Sequence, residues 1–141
     1  MSGDSVTRGS TETWGSAGLH DGGFAYGSRV SAGALIYTAG LSPLDDAGEI
    51  VGPDDPVTQV RRAVECLDVV LREQNARRAD IAKLTVYVAT ADRATLGAVW
   101  QAVDAAFGGN TPPAIVVGVT VLPYPGQMVE IEAVVATGES A

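Results

Sequence analysis

Glu130 and Glu132 alternate with Val129, Ile131 and Ala133. A period of two places both carboxylates on one face of a strand and the apolar residues on the other. Facing a cleft, such a carboxylate can move protons as a general acid or base; facing water, it is a solvated surface group. Tyr26 offers a phenolic donor for a ligand oxygen, or a ring for packing at a subunit edge. Trp100 lies among Leu96, Val99, Val103 and Phe107, a helical stripe in which a core residue and a ligand platform look alike. Cys66 borders another apolar stripe, beside Glu65, and reads as a packing thiol. His20 reads as an exposed histidine, with approach to a cleft as the alternative.

One histidine and one cysteine in 141 residues leave no cluster of the kind that zinc or copper requires, and no intrachain disulfide. Neither a metal nor another cofactor is expected. Several carboxylates lie between Gly48 and Asp55, but without the tight alternation of a calcium loop, so they read as a solvated loop and a helix cap. Gly22-Gly23 and Gly108-Gly109 lack the lysine that would follow a phosphate cradle. A net charge of −8 with scattered basic residues repels phosphate backbones, so nucleic acid is not an expected partner. No apolar run approaches the length of a membrane span, and residues 1–23 lack the basic start and hydrophobic centre of a secretion signal. A soluble, cytoplasmic protein is expected.

The elements that must position these groups follow from periodicity. Residues 1–23, rich in Gly, Ser and Thr, are expected to form a flexible arm, with Trp14 as a docking point or an incidental aromatic. Residues 24–141, 46% of the whole chain being apolar, are expected to form one domain. Two short strands turn at Ala32-Gly33, the second being Leu35-Ile36-Tyr37-Thr38. Asp55 caps a helix that begins at Pro56 and carries Val57, Val60, Val64, Leu67 and Leu71 on one stripe. A strand over Ala82 to Val88, a helix from Arg93 to Phe107 stopped by Gly108-Gly109, and strands Ile115 to Val121 and Met128 to Val135 complete the chain. This order predicts an α+β fold, a mixed sheet with both helices on one face. Val116, Val134 and Ile36 are expected on the opposite face, where an apolar patch calls for a second subunit.

From Phe24 to Thr137 the chain resembles the Rid (YjgF, reactive intermediate deaminase) family. The resemblance is carried by Tyr26, by Tyr37-Thr38-Ala39-Gly40-Leu41-Ser42-Pro43-Leu44-Asp45, and by the helix containing Gln59. Ile81-Ala82-Lys83-Leu84-Thr85-Val86-Tyr87-Val88, Pro113-Ala114, Leu122-Pro123 and Val129-Glu130-Ile131-Glu132-Ala133 complete it. It implies a chorismate-mutase-like fold, a homotrimer whose sheets line an internal barrel, and ligand clefts between neighbouring subunits. Glu130 is then the catalytic candidate, and Tyr26, Ala39, Gly40, Leu41, Trp100 and Ile115 are the substrate-binding candidates.

In deaminating members of that family an arginine just after Pro-Ala clamps a substrate carboxylate, a task suited to its planar fork. Ile115 holds that place here, Ala39 and Leu41 hold places that are commonly polar, and Trp100 aligns with a frequent asparagine. The resemblance therefore implies an enzyme acting on an imine, enamine or related carbonyl intermediate of specialised metabolism, by hydrolysis, dehydration or cyclisation. Deamination of 2-aminoacrylate itself is not expected. The alternative is a non-catalytic member that binds a metabolite or a partner protein.

Overall fold

The computed structural model describes residues 5–8 and 11–137. The chain runs through strands β1 (Ser5–Arg8), β2 (Thr11–Trp14), β3 (Gly27–Val30) and β4 (Leu35–Tyr37), helix α1 (Pro56–Glu73), strand β5 (Ile81–Ala89), helix α2 (Arg93–Ala106), and strands β6 (Ala114–Val119) and β7 (Val129–Ala136). A short 3-10 turn, Arg78–Asp80, precedes β5. The main sheet has the order β4-β7-β5-β6, antiparallel except for the β5–β6 pair, and the α+β layer expected from the sequence is the one observed.

Helix α1 starts where its sequence requires. The Asp55 carboxylate accepts from the Thr58 backbone N–H and from the Thr58 hydroxyl, and Pro56 takes the first helical position. Those bonds, the hydroxyl's first, hold the Asp55 carboxyl below its ordinary range. The cap satisfies one of the otherwise unpaired N–H groups of the first turn. Burial contributes more, at roughly 1.5–3 kcal/mol for each large apolar side chain. Val60, Val64, Leu67 and Leu71 of α1 and Val99, Val103 and Phe107 at α2 pack against Leu84, Val86 and Val88 of β5 and Val129, Ile131, Ala133 and Val135 of β7. Packing, rather than helix propensity, therefore fixes both helices on one sheet face.

The core also encloses a polar clamp. Gln59 of α1 is fully buried; its Nε2 donates to the carbonyls of Gly52 and Gly126, both at 2.9 Å. Its Oε1 accepts from the N–H groups of Met128, at 2.6 Å, and Val129, at 3.2 Å. One amide thus ties the loop before α1 to the start of β7.

Three expectations change. The arm is not without structure where it is described: β1 pairs with β2 and β2 with β3, and Thr11 and Thr13 are buried. Thr11 donates to the Ala79 carbonyl and Ser28 to the Ala82 carbonyl, so the small sheet is joined to the main one across the expected boundary at residue 23. Residues 1–4 and 9–10 of the expected arm, and 138–141 of the expected domain, lie outside the described residues. The strands on either side of Ala32-Gly33 do not pair with each other, because β3 joins β2 and β4 joins β7.

The third change concerns the sheet faces. Val116 lies opposite Val86 and Ile36 opposite Val135, so both sit on the helix side, packed against the core. The outer face instead carries Leu35, Tyr37, Val134, Ile115 and Val117 together with Lys83, Thr85, Tyr87, Glu130 and Glu132. In an all-apolar strand such as β6, period-two alternation is invisible, and only the register shows which residues face the helices.

Gln59→Leu tests the clamp. It keeps the bulk but leaves the Met128 and Val129 N–H groups without this acceptor, while the Gly52 and Gly126 carbonyls keep the N–H groups of Asp55 and Asp54, and should cost about 2 kcal/mol or more in urea unfolding.

Candidate functional site

Strand β7 turns the Glu130 side chain outward between Val129 and Ile131, which are buried at 0% and 1% exposure. Beside it the chain leaving β4 makes a bulge. Thr38 bonds to the Ala133 carbonyl and Leu41 pairs in both directions with Ile131, so Ala39 and Gly40 are accommodated opposite the single residue Glu132. Gly40 has a steric reason: a Cβ there would lie 2.8 Å from Glu130 Oε2 and 2.9 Å from its carboxyl carbon. The missing side chain gives the carboxylate its place.

The other carboxylate oxygen is held. Ser42 Oγ donates to Glu130 Oε1 at 2.8 Å, and Gln127 Nε2 donates to Ser42 Oγ at 3.0 Å. Gln127 is itself buried, donating also to the Val129 carbonyl and accepting from the Tyr124 N–H. Because the Ser42 oxygen accepts a hydrogen bond from Gln127, its own hydrogen is directed to Glu130. The array therefore ends in a fixed acceptor whose Oε2 lies against the Gly40 backbone.

Glu132 belongs to a different contact. The Tyr87 hydroxyl donates to Glu132 Oε1 in a short hydrogen bond. That bond first, then partial burial, and then the charges of Glu132 and Glu130 push the Tyr87 phenol above its ordinary value. Cys66 is half-buried near the carbonyls of Ser42 and Leu44, and burial raises its thiol, as suits a packing residue.

The remaining candidates lie elsewhere in the protomer. Ile115 is two strands from β7 on the same face, about 10 Å across the sheet. With Trp100 it lines a separate cleft of about 520 Å³, whose walls include Phe24, Asp104, Thr111 and Pro113. Tyr26 is in neither place. Its hydroxyl donates to the His20 carbonyl at 2.6 Å and its ring lies 4.9 Å from that of Phe24, tilted by 45°. His20 is exposed. One protomer thus brings Ala39 and Gly40 beside Glu130 and, separately, Trp100 and Ile115 together; Leu41, expected at the substrate, pairs with Ile131 and packs its side chain against the helix-side core instead.

Sequence reasoning missed Ser42, Gln127 and Asp104. Ser42 stands within the stretch that carries the family resemblance, and its position two residues beyond Gly40 is the one local signal. Gln127 stands 85 residues away from Ser42, so no spacing announces the contact. Among the described residues there is no group of three or more His, Cys, Asp or Glu side chains placed to hold a metal ion. No described helix is long and apolar enough to cross a membrane.

The sequence profile described as Endoribonuclease L-PSP matches residues 23–137. The chain belongs to this family, also called Rid or YjgF. A RutC family protein of Pyrococcus abyssi is 32% identical over 111 residues, covering 77% of this chain and 84% of that protein. Among solved structures, the Rid protein YyfB of Yersinia pestis superposes with a TM-score of 0.72 at 30% identity, over 81% of this chain and 86% of that one. A YjgF/YER057c/UK114 family member of Mycobacterium tuberculosis gives a TM-score of 0.60, also at 30% identity, over 82% and 87% of the two chains. The Rid fold expected from the sequence is thus the fold of this chain.

Two outcomes test the site's geometry. Gly40→Ala should displace the Glu130 carboxylate from Ser42 while changing stability by no more than about 1 kcal/mol, since a side-chain end can move aside. A crystal structure of the variant that keeps the Ser42–Glu130 hydrogen bond would refute this account of Gly40. In an ultraviolet titration, Tyr87 should ionise above the ordinary tyrosine value near 10, and Glu132→Gln should bring it back down. With the folded value raised, the stability it contributes is complete below the unfolded value and is lost as pH rises through the folded one.

Proposed function

We propose that this protein is a Rid-type small-molecule enzyme that acts on an imine, enamine or related carbonyl intermediate, with Glu130 moving the proton, in a cleft between subunits of a homotrimer. The observation that carries the reading is the Glu130 carboxylate, held by Ser42 and Gln127 and given space by Gly40. A carboxylate built into a donor array and turned outward from a buried strand is prepared for acid–base work. Leu35, Tyr37 and Ile115, exposed on the same face, support a subunit interface there.

For hydrolysis of an iminium, water adds to the carbon as the C=N electron pair moves to nitrogen, and Glu130 accepts the water's proton. Glu130 then returns that proton to nitrogen; as the carbinolamine collapses, its hydroxyl proton passes by way of Glu130 to the departing nitrogen and the C–N bond breaks, giving a carbonyl compound and an ammonium ion. Dehydration or cyclisation would use the same carboxylate. The place that the family resemblance gives to a carboxylate-clamping arginine holds Ile115, with Ala39 also apolar, so the substrate is one without a simple amino-acid carboxylate. A net charge of −8 keeps the ribonuclease activity in the family description outside this proposal.

Glu130→Gln should lower turnover of a cyclic or aryl imine by at least about 100-fold while leaving the oligomer intact in sedimentation. Equal rates would refute the role of Glu130. Wild-type protein should not accelerate ammonia release from 2-aminoacrylate. The replacement of polar positions by Ala39, Leu41 and Ile115 favours a second reading, a non-catalytic binder of a metabolite or partner protein. A metabolite that raises the melting temperature and is recovered unchanged would favour it.

A further inference from the structure

The cleft lined by Trp100 and Ile115 has its own chemistry. It lies at the free edge of the main sheet, where Pro112 to Val116 meet Thr13 of β2 and the Gly23-to-Ala25 segment. Trp100 and Asp104 are four residues apart on α2, one turn of the same helix face. Phe24 supplies a second ring, folded so closely over Gly22 that a Cβ there would meet it at 2.3 Å. Asp104 Oδ1 accepts from the Thr111 hydroxyl at 2.7 Å, which fixes the carboxylate's direction. Among the described residues, no lysine, arginine or histidine lines the cleft and none pairs with Asp104.

We infer that this cleft binds an aromatic or cyclic cation, an iminium or ammonium compound of one to two rings. An indole face attracts a cation through its quadrupole, and a carboxylate fixed beside it adds a full opposite charge. An anionic ligand would meet Asp104 with no compensating group. The volume, about 520 Å³, suits a small cyclic molecule. The inference rests on the proposed function in treating Trp100 and Ile115 as ligand-binding, and it names the charge of that ligand; its test measures binding alone and needs no turnover by Glu130.

Isothermal titration of the full chain in its native oligomer, with benzyltrimethylammonium, benzyl alcohol and phenylacetate as probes, tests it. The cation should bind at least about tenfold more tightly than phenylacetate. Asp104→Asn, in which the amide oxygen still accepts from Thr111, should remove that preference, and Trp100→Leu should weaken the cation. Asp46→Asn, which removes the same charge from an exposed loop, should change neither. Cation binding that is absent, no tighter than that of phenylacetate, or equally reduced by Asp46→Asn and Asp104→Asn would overturn the inference. Loss of the cation preference in Asp104→Asn alone, even if Glu130→Gln proves fully active, would uphold it.

Discussion

The Gln59 amide is the constraint around which the rest of the molecule is arranged. Its side chain is fully buried beside the apolar interface of α1 and the sheet, and its four polar contacts reach the loops at Gly52 and Gly126 and the start of β7. An amide in such a place is tolerable only when every donor and acceptor is matched, and matching fixes three segments at once. The carbonyls of Gly52 and Gly126 and the N–H groups of Met128 and Val129 can each reach it in one arrangement. The first residues of β7 are therefore set by a side chain of α1 as well as by strand pairing. Glu130 is the residue immediately after that anchor. Its outward direction follows from the register, and its rotamer from Ser42, Gln127 and the space at Gly40.

The two faces of the main sheet divide the labour. The helix face is almost purely aliphatic, and its burial supplies the stability that the fold needs. The outer face mixes aliphatic groups with Lys83, Glu130 and Glu132 and with the phenol of Tyr87. Among the described residues no cation pairs with either carboxylate; each is oriented by a neutral donor, the Ser42 hydroxyl for Glu130 and the Tyr87 hydroxyl for Glu132. Neutral donors direct a carboxylate without cancelling its charge, which leaves it able to act on something else.

Much of the main domain could be read from the sequence. The capped helix at Pro56, the second helix ending before Gly108-Gly109, and the alternating β5 and β7 all declare themselves, because each buries one regular face. The first two strands did not. Thr-Glu-Thr-Trp in a Gly- and Ser-rich setting has little apolar surface, and its order depends on pairing with β3, on the Thr11 bond to Ala79 in the turn before β5, and on the bond from Ser28 of β3 to Ala82 of the main sheet. Ile36 and Val116 were assigned to the wrong face because their neighbours are also apolar, so hydrophobicity carries no parity there. At the site, Glu130 and Gly40 were legible through motif and family resemblance. Ser42 and Gln127 were not, since their contacts join residues far apart in sequence, and the cleft with Asp104 emerged only when β2, α2 and β6 were brought together.

The close fit of Gly40 against Glu130 has a consequence for how this sequence can change over time. A side chain at position 40 and the Glu130 carboxylate in its place beside Ser42 compete for the same space, so position 40 cannot change without moving the carboxylate. A lineage that first shortened Glu130 would make position 40 free to accept other residues, and each such residue would then obstruct the return of the glutamate. The order of steps would matter more than their number. The void beside one strand thus acts as a ratchet on ancestry, as well as a resting place for a carboxylate.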